Sequence, residues 1–157
     1  MIKTLIITAL ATITMLMVAG CMPTGGKKIT IVEERQLTTH GANAGFPAWS
    51  PDGEKIAFGS DRTGYYNIWV MDSDGSNLRR LTNREGYDSL PRWSPDGKKI
   101  AFISDRTGNW DVWVMNSDGA NLRQLTTHEA LDWFPAWSPG KRIAFGSDRT
   151  GNWDIWV

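Results

Sequence analysis

The chain has 157 residues and a formal net charge of zero, with 17 Lys and Arg against 17 Asp and Glu. This balance argues against a general nucleic-acid binder, because such proteins present a strongly basic surface. The single Cys excludes an intramolecular disulfide and a Cys-based zinc cluster, and the 2 His residues leave little for a metal site, so we expect neither a metal nor a cofactor. An abundance of Trp (9 residues), beside 16 Gly and 7 Pro, favours aromatic strands joined by tight turns.

The first residues have the pattern of an export signal. A positively charged start at Lys3 precedes an uncharged, largely apolar run over 5–18. A basic region, an apolar region and small residues before a cleavage point are typical of secretory signal peptides. The single Cys follows Val18-Ala19-Gly20, and this run resembles the lipobox of bacterial lipoproteins.

The lipobox resemblance implies a signal peptide over 1–20, a lipid on Cys21 and a linker over 21–32. The linker would hold the folded part away from the membrane, on the periplasmic side or at the outer membrane. An uncleaved membrane anchor is the alternative, because the uncharged run over 4–22 is just long enough to span. Either interpretation places the rest of the chain outside the cytoplasm.

After the linker the sequence repeats every 44 residues. The run P-x-W-S-P begins at 47 and recurs at 91 and 135, and S-D-R-T-G begins at 60 and recurs at 104 and 147. The third copy lacks the equivalent of Asp96, which shortens its first turn. No stretch of the repeat has a sustained helical period.

Each repeat divides into four strands, A to D. In the first copy these are predicted over 46–50, 55–60, 66–72 and 77–82, with turns such as Ser50-Pro51-Asp52-Gly53 between them. Strand C is apolar without alternation, so both of its faces must be covered. Four short strands in about 44 residues, with two buried faces, are typical of a β-propeller blade. A β-sandwich is the competing fold, but it needs no such repetition.

The repeat resembles the WD-like propeller repeat of the TolB-like family, through P-x-W-S-P-D-G, I-A-F, S-D-R-x-G, I-W-V-M and L-R-x-L-T. The resemblance covers 33–157. It implies an all-β fold, a β-propeller of four-stranded antiparallel blades, and a periplasmic or secreted protein that binds other proteins. The same repeat also occurs in the gating propellers of prolyl-oligopeptidase-type peptidases.

The repeat copies correspond to three blades. A lone strand D is expected over 33–40, blade 1 over 46–82, blade 2 over 90–127, and strands A to C of blade 3 over 134–157. Propellers typically have four to eight blades. Either the chain is a fragment of a longer propeller, or two copies form a homodimer with a six-blade ring in which each lends its N-terminal strand to the other.

Residues that recur in every copy are assigned to the scaffold. Two rows of Trp are predicted to pack blade against blade: Trp49, Trp93 and Trp137, and then Trp69, Trp113 and Trp156. The repeated Asp-Arg pairs are predicted to be ion pairs that fix loops, or caps on backbone donors: Asp61, Arg62, Asp105, Arg106, Asp148 and Arg149. The acidic run at 72–77 lacks the full spacing of a calcium loop and is predicted to be a hairpin turn.

The connections from strand D to the next strand A differ between copies, and recognition usually lies in such variable loops. The candidate partner-binding residues are Arg84, Tyr87, Asp88, His128, Glu129 and Trp133. Strand alternation puts these loops on the face away from the membrane. Solvated loops with one packed aromatic are the alternative interpretation.

The chain has no G-x-S-x-G nucleophile motif and no H-E-x-x-H zinc motif. We therefore predict a lipid-anchored, non-catalytic interaction module that binds a protein partner of the cell envelope and no nucleic acid. The alternative is the N-terminal propeller of an exported prolyl-oligopeptidase-type peptidase or polysaccharide-degrading enzyme. Glycan binding on the loop side is a third possibility.

Overall fold

A computed structural model describes residues 34–157 of the chain. The predicted signal peptide, Cys21 and the linker over 21–32 lie outside the described residues. The contacts separate Arg35–Val157 as one unit. Within the described part of the chain, no helix is long and apolar enough to cross a membrane.

The described residues form three antiparallel sheets, which confirms the all-β fold of propeller blades. Sheet 1 contains, in spatial order, β1 Ala44–Trp49, β2 Lys55–Ser60, β3 Asn67–Asp72 and β4 Arg79–Arg80. Sheet 2 repeats this order with β5 Asp88–Trp93, β6 Lys99–Ser104, β7 Asp111–Asn116 and β8 Arg123–Gln124. Sheet 3 has three strands, β9 Asp132–Trp137, β10 Ile143–Ser147 and β11 Asp154–Trp156.

Strand A of every blade begins two residues before its predicted start at 46, 90 or 134. The cause is a shift in the ladder between strands A and B, which occurs at the same place in each blade. The residue at the shift takes a positive φ of 56° at Phe46, 52° at Leu90 and 56° at Phe134. This β-bulge lets pairing continue toward the N-terminus beyond the irregularity.

The lone strand predicted over 33–40 does not form within residues 34–40. The segment nevertheless occupies the same position on sheet 1 that β4 and its flanking residues occupy on sheet 2. Leu37 packs on the apolar cluster of sheet 1, and Arg35 donates to the Asp74 carbonyl as Arg79 does to the Asp118 carbonyl. The segment therefore has the position expected of a strand D, without a neighbouring strand in the described residues to form a ladder with it.

The sheets stack through apolar side chains that neither sheet can bury alone. Ala57 and Ile68 of sheet 1 form one cluster with Ile100, Phe102 and Met115 of sheet 2. Each of these residues is at most 1% exposed. Burial of a large apolar side chain contributes about 1.5–3 kcal/mol. The junction between blades is therefore a continuous core.

Hydrogen bonds join neighbouring blades at both ends of strand A. At one end, the indole nitrogen of Trp93 donates to the Ala48 carbonyl at 3.1 Å, and that of Trp137 donates to the Arg92 carbonyl at 3.0 Å. At the other end, the backbone N–H of Asp88 donates to the Tyr66 carbonyl at 2.8 Å. The Trp side chains of this row thus connect strand A of one blade with strand A of the preceding one.

The acidic run at 72–77 folds as the predicted turn. Asp72 accepts from Lys55 Nζ at 2.6 Å and from Asn77 Nδ2 at 2.7 Å, and Asp74 accepts from the Ser76 N–H at 2.8 Å. These oxygens are engaged in turn contacts. No group of three metal-binding side chains is found among residues 34–157.

Replacing Trp93 with Phe should lower the free energy of unfolding by about 1 kcal/mol, because it removes the hydrogen bond to the Ala48 carbonyl. Trp49→Phe is the matched control, since Trp49 holds the same place in blade 1 but is 58% exposed. Urea denaturation of the full chain measures both. Equal losses in the two variants would contradict a bridging role for the indole.

Candidate functional site

The loops that connect strands B to C and strands D to A lie on one side of the sheets, which we call the loop face. It comprises 61–66, 105–110 and 148–153 together with 40–43, 83–87 and 127–131. The two kinds of loop are joined by the Asp of the S-D-R-T-G run. Asp61, Asp105 and Asp148 accept the backbone N–H of Asn43 at 2.8 Å, of Tyr87 at 3.0 Å and of Leu131 at 2.9 Å. Each Asp therefore caps a backbone donor of the loop that enters its own blade.

The Arg of the same run acts apart from the Asp beside it. The guanidinium carbons of Arg62, Arg106 and Arg149 lie 4.8, 4.6 and 4.3 Å from the ring centres of Trp69, Trp113 and Trp156. Such cation–π contacts hold the guanidinium flat on the indole. Of the two roles predicted for the Asp-Arg pairs, the Asp residues make backbone caps, and each Arg stacks on the second Trp row instead of pairing with the Asp beside it.

Asp88 is the main correction to the candidate partner-binding set. It is completely buried, and its carboxylate accepts from Arg106 Nη2 at 2.8 Å. Asp132, its equivalent in blade 3, is also buried and pairs with Arg149 at 3.1 Å. A carboxylate in this position is the internal partner of the stacked Arg, so Asp88 is not available to an external protein.

Arg84 lies half-buried at the junction of blades 1 and 2. Its Nη1 atom is 2.5 Å from Asp105 Oδ1 and 3.7 Å from Asp88 Oδ1. The guanidinium lies over Gly86, whose φ of 133° is in a region that L side chains rarely adopt. The backbone of this loop therefore favours glycine at 86.

Asp105 is the carboxylate that this arrangement stabilises in its charged form. Partial burial works to raise its pKa, but hydrogen bonds from Arg84 and from the Tyr87 N–H outweigh burial, and the pKa lies below its ordinary value of 3.8. The Arg84–Asp105 pair consequently stays ionised at neutral pH. It links the D–A loop of one blade to the B–C loop of the next.

Aromatic rings run across the loop face from blade 1 to blade 3. Tyr66 and Tyr87 are stacked with their centroids 4.5 Å apart and their planes at 4°. Tyr87 meets Trp110 at 5.3 Å, Trp110 meets Trp133 at 5.3 Å, and Trp133 meets Phe134 at 5.7 Å. We call these five residues the aromatic row. Desolvation, with smaller contributions from Tyr87 and Asp61, raises the pKa of Tyr66 above 10.0, so its hydroxyl is neutral.

The remaining candidates lie in the loop that leads into blade 3. His128 and Glu129 are exposed. The loop is held by Asn109, whose Nδ2 donates to the carbonyls of His128 at 2.9 Å and of Ala130 at 2.7 Å. His128 Nδ1 accepts the Ala130 N–H at 3.0 Å. The structure thus brings Arg84, Tyr87 and Trp133 into the aromatic row or next to it, with His128 and Glu129 at its blade 3 end.

Sequence reasoning missed the repeated members of the aromatic row. Tyr66 and Trp110 hold the same place in copies 1 and 2, just before strand C, and Trp153, which is outside the row, holds it in copy 3. This third repeated aromatic position was a signal in the sequence. Trp133 was identified because it stands where the other copies have Gly45 and Ser89. The missed residues carry the row across blades 1 and 2.

The sequence model of one protein family matches residues 65–156, and its description is the Tricorn protease N-terminal beta propeller domain. Among curated proteins, an uncharacterized protein of Agrobacterium fabrum is 46% identical over 52 residues, which are 33% of this chain and 17% of that protein. A TolB homologue of Protochlamydia amoebophila is 33% identical over 61 residues, 39% of this chain and 13% of that protein.

Solved structures give the same result. A structure described as TolB from Agrobacterium tumefaciens has a TM-score of 0.66 at 35% identity, over 71% of this chain and 40% of that one. TolB from Acinetobacter baumannii has a TM-score of 0.69 at 28% identity, over 76% of this chain and 30% of that one. Puromycin hydrolase, at 18% identity, 78% and 23% coverage and a TM-score of 0.58, shares the fold alone. The chain spans less than half the length of each of these relatives, and its predicted TolB-like propeller fold is confirmed.

Replacing Asp105 with Asn should lower the free energy of unfolding at pH 7 by roughly 1 kcal/mol. The substitution removes the negative charge that pairs with the partly exposed Arg84. Because the pKa of Asp105 is lowered in the folded protein, its contribution is complete above 3.8 and is lost as the pH falls through the lower folded value. Urea denaturation at several pH values should show a constant difference between the native chain and D105N above about pH 5, and a narrowing one in more acid solution.

Asp148→Asn is the control for that experiment, since Asp148 caps the Leu131 N–H but has His128 in place of Arg84 in its entering loop. We expect a smaller loss for this variant. An equal loss in both variants, or a D105N difference that does not narrow in acid, would contradict the role given to the Arg84–Asp105 pair.

Proposed function

Because the chain belongs to the family of the Tricorn protease N-terminal β-propeller domain, we propose that its blades form a non-catalytic module that binds a protein partner outside the cytoplasm. The TolB-like repeats support this assignment. The proposed binding surface is the loop face. Its contact residues would be Arg84, Tyr87, His128, Glu129 and Trp133, joined by Tyr66, Trp110 and Phe134.

The observation that carries the proposal is the aromatic row. Five rings, each in contact with the next, cross three blades, whereas the loops that connect strands D to A differ from copy to copy. Tyr, Trp and Arg are the residue types enriched among the residues that dominate binding energy at protein interfaces. Phe134 at the end of the row is 58% exposed, so a partner can reach it. A rigid scaffold with variable loops is the usual arrangement for recognition.

We also propose that the protein is tethered through a lipid on Cys21. The lipobox-like run before this Cys is the support for the tether. Segment 34–40 begins beside the turn between strands C and D, where Arg35 contacts the Asp74 carbonyl, and ends at the loop face. We therefore propose that the tether lies on the side of the sheets opposite the loop face. A tether on that side would direct the loop face away from the membrane, into the periplasm or toward the inside of the envelope.

A second candidate function is the propeller of an exported enzyme, either a peptidase of the prolyl-oligopeptidase type or a polysaccharide-degrading enzyme. The observation that favours it is the family itself, which is named for the propeller of a protease. In that case the loop face would border a catalytic domain of the same polypeptide rather than a separate partner.

Self-association is a further part of the proposal. Strand β11 is the outer strand of sheet 3, with no neighbour on its outer side in the described residues. Ile155 in this strand is 79% exposed and Val157 after it is 76% exposed. Ile155 holds the place of Ile68, which packs on the next sheet, so sheet 3 presents an uncovered apolar face as well as a free strand edge. A free edge accepts another strand, and an exposed apolar face favours association. Segment 34–40 of a second copy, which has the position of a strand D, is the proposed fourth strand, giving a six-blade ring from two chains.

The loop face should crosslink to a single partner protein when a photoreactive phenylalanine analogue replaces Phe134 in producing cells. The same analogue at Lys98, which is exposed in the turn between strands A and B, is the control on the opposite side. We expect a discrete product from position 134 that weakens when Trp133 is changed to Ala. Equal products from both positions, or none from the loop face, would contradict the proposed binding surface.

Light scattering of the purified full chain should give twice the chain mass. Ile155→Lys should shift the protein toward monomer, because it places a charge on the exposed apolar face of sheet 3 that a blade of the second copy would cover. Lys98→Glu, which changes the charge at an exposed position in the turn between β5 and β6 of the middle blade, is the control and should leave the mass unchanged. A monodisperse monomer of the native chain would contradict self-association.

A further inference from the structure

Arg62 has no carboxylate partner among the described residues, although its two equivalents each have one. Arg106 Nη2 lies 2.8 Å from Asp88 Oδ2. Arg149 Nη2 lies 3.1 and 3.2 Å from the two oxygens of Asp132. In blade 1 the corresponding residue is Ala44, which offers only a methyl group.

Strand pairing shows that these positions are equivalent. Ala44 pairs with Ser60 in sheet 1, as Asp88 pairs with Ser104 in sheet 2 and Asp132 with Ser147 in sheet 3. The difference between the blades is therefore one of side chain and not of register.

Arg62 is held in the same way as the other two Arg residues. Its guanidinium carbon lies 4.8 Å from the Trp69 ring centre, and its Nε donates to Ser60 Oγ at 3.4 Å. Arg106 has the corresponding contacts, with Nε at 2.9 Å from Ser104 Oγ. The Arg62 Nη groups make no hydrogen bond within residues 34–157, so a donor fork is held in position without an acceptor.

The surface around this fork is open, with polar and apolar parts. A cavity of ≈ 180 Å³ has Arg62, His40, Thr38 and Thr39 on its polar side and Leu37, Met71 and Leu78 on its apolar side. A second cavity of ≈ 200 Å³, mainly apolar, reaches Ala44 and shares Leu37, Thr38 and Met71 with the first. Ala44 is exposed, whereas Asp88 and Asp132 are completely buried. The groove thus leads from solvent to the place where the other blades hold a carboxylate.

We propose that the groove between Arg62 and Ala44 is a binding site for a carboxylate that comes from outside sheet 1. The ligand would accept from the Arg62 Nη groups as Asp88 accepts from Arg106, and Thr38 and Thr39 line the approach. Bonds between a guanidinium and a carboxylate are charge-assisted and favour planar, paired geometry. Two sources share this chemistry, a small organic acid and an acidic side chain of a protein partner.

Titration of the full chain with acetate, at constant ionic strength with chloride, tests the site. The Nε–Hε resonance of Arg62 is the readout. We expect a saturable shift in the native chain and a response at least about tenfold weaker in Ala44→Asp, where the built-in carboxylate occupies the fork. The Ala44→Asp variant should also unfold at a temperature roughly 2–6 °C higher than the native chain.

Asp132→Ala is the matched variant, because it gives Arg149 the surroundings that Arg62 has. Its Arg149 resonance should acquire the acetate response that the native Arg149 lacks. An Arg62 shift that does not saturate, or that is unchanged in Ala44→Asp, would overturn the proposal even if Asp132→Ala fails to fold.

A blocked Gly-Asp-Gly peptide and its Gly-Asn-Gly analogue separate the two sources. Binding of the Asp peptide about tenfold more tightly than acetate supports an acidic side chain of a partner, and equal binding supports a small organic acid. Equal binding of the Asp and Asn peptides would contradict carboxylate recognition. The loop-face crosslink at Phe134 does not depend on Arg62, so each result can fail without the other.

Discussion

The structure depends on the stacking of sheets whose two faces are both apolar. Ile100 and Phe102 of the middle blade are completely buried in the cluster that they share with Ala57 and Ile68 of sheet 1. Their equivalents in blade 3, Ile143 and Phe145, line cavities between sheets 2 and 3 and are only half-buried. The apolar area removed from water is the dominant favourable contribution to folding. A blade of this type is therefore stable only against a neighbour, and repetition of the sequence supplies that neighbour.

Polar contacts then align the stacked blades. The Trp93 indole and the Asp88 N–H bond to the preceding blade at opposite ends of strand A, which fixes how far one sheet slides along the next. Once the blades are aligned, side chains from different blades come within contact distance on the loop face. The stacking of Tyr66 on Tyr87 is the clearest result, since the two rings belong to different blades.

Repetition made much of the fold predictable from the sequence. The bounds of β2 agree with the prediction because Ser50-Pro51-Asp52-Gly53 marks the preceding turn and apolar residues fill the strand. The bulge at Phe46 was not predictable, since a bulky aromatic at positive φ is uncommon and depends on tertiary packing. The burial of Asp88 was missed because its partner, Arg106, is distant in sequence and the pairing depends on the fold. The aromatic row was partly predictable, because the repeat itself marks Tyr66 and Trp110.

Native-state hydrogen exchange across the three blades tests most directly whether each sheet is stabilised by the one beside it. The account predicts the slowest amide exchange in β6 and β7, which have a sheet on either side, with faster exchange in β2 and β3 and the fastest in β10 and β11. Equal protection in the three sheets, or slower exchange in β10 than in β6, would show that the blades are stable on their own and would contradict the account.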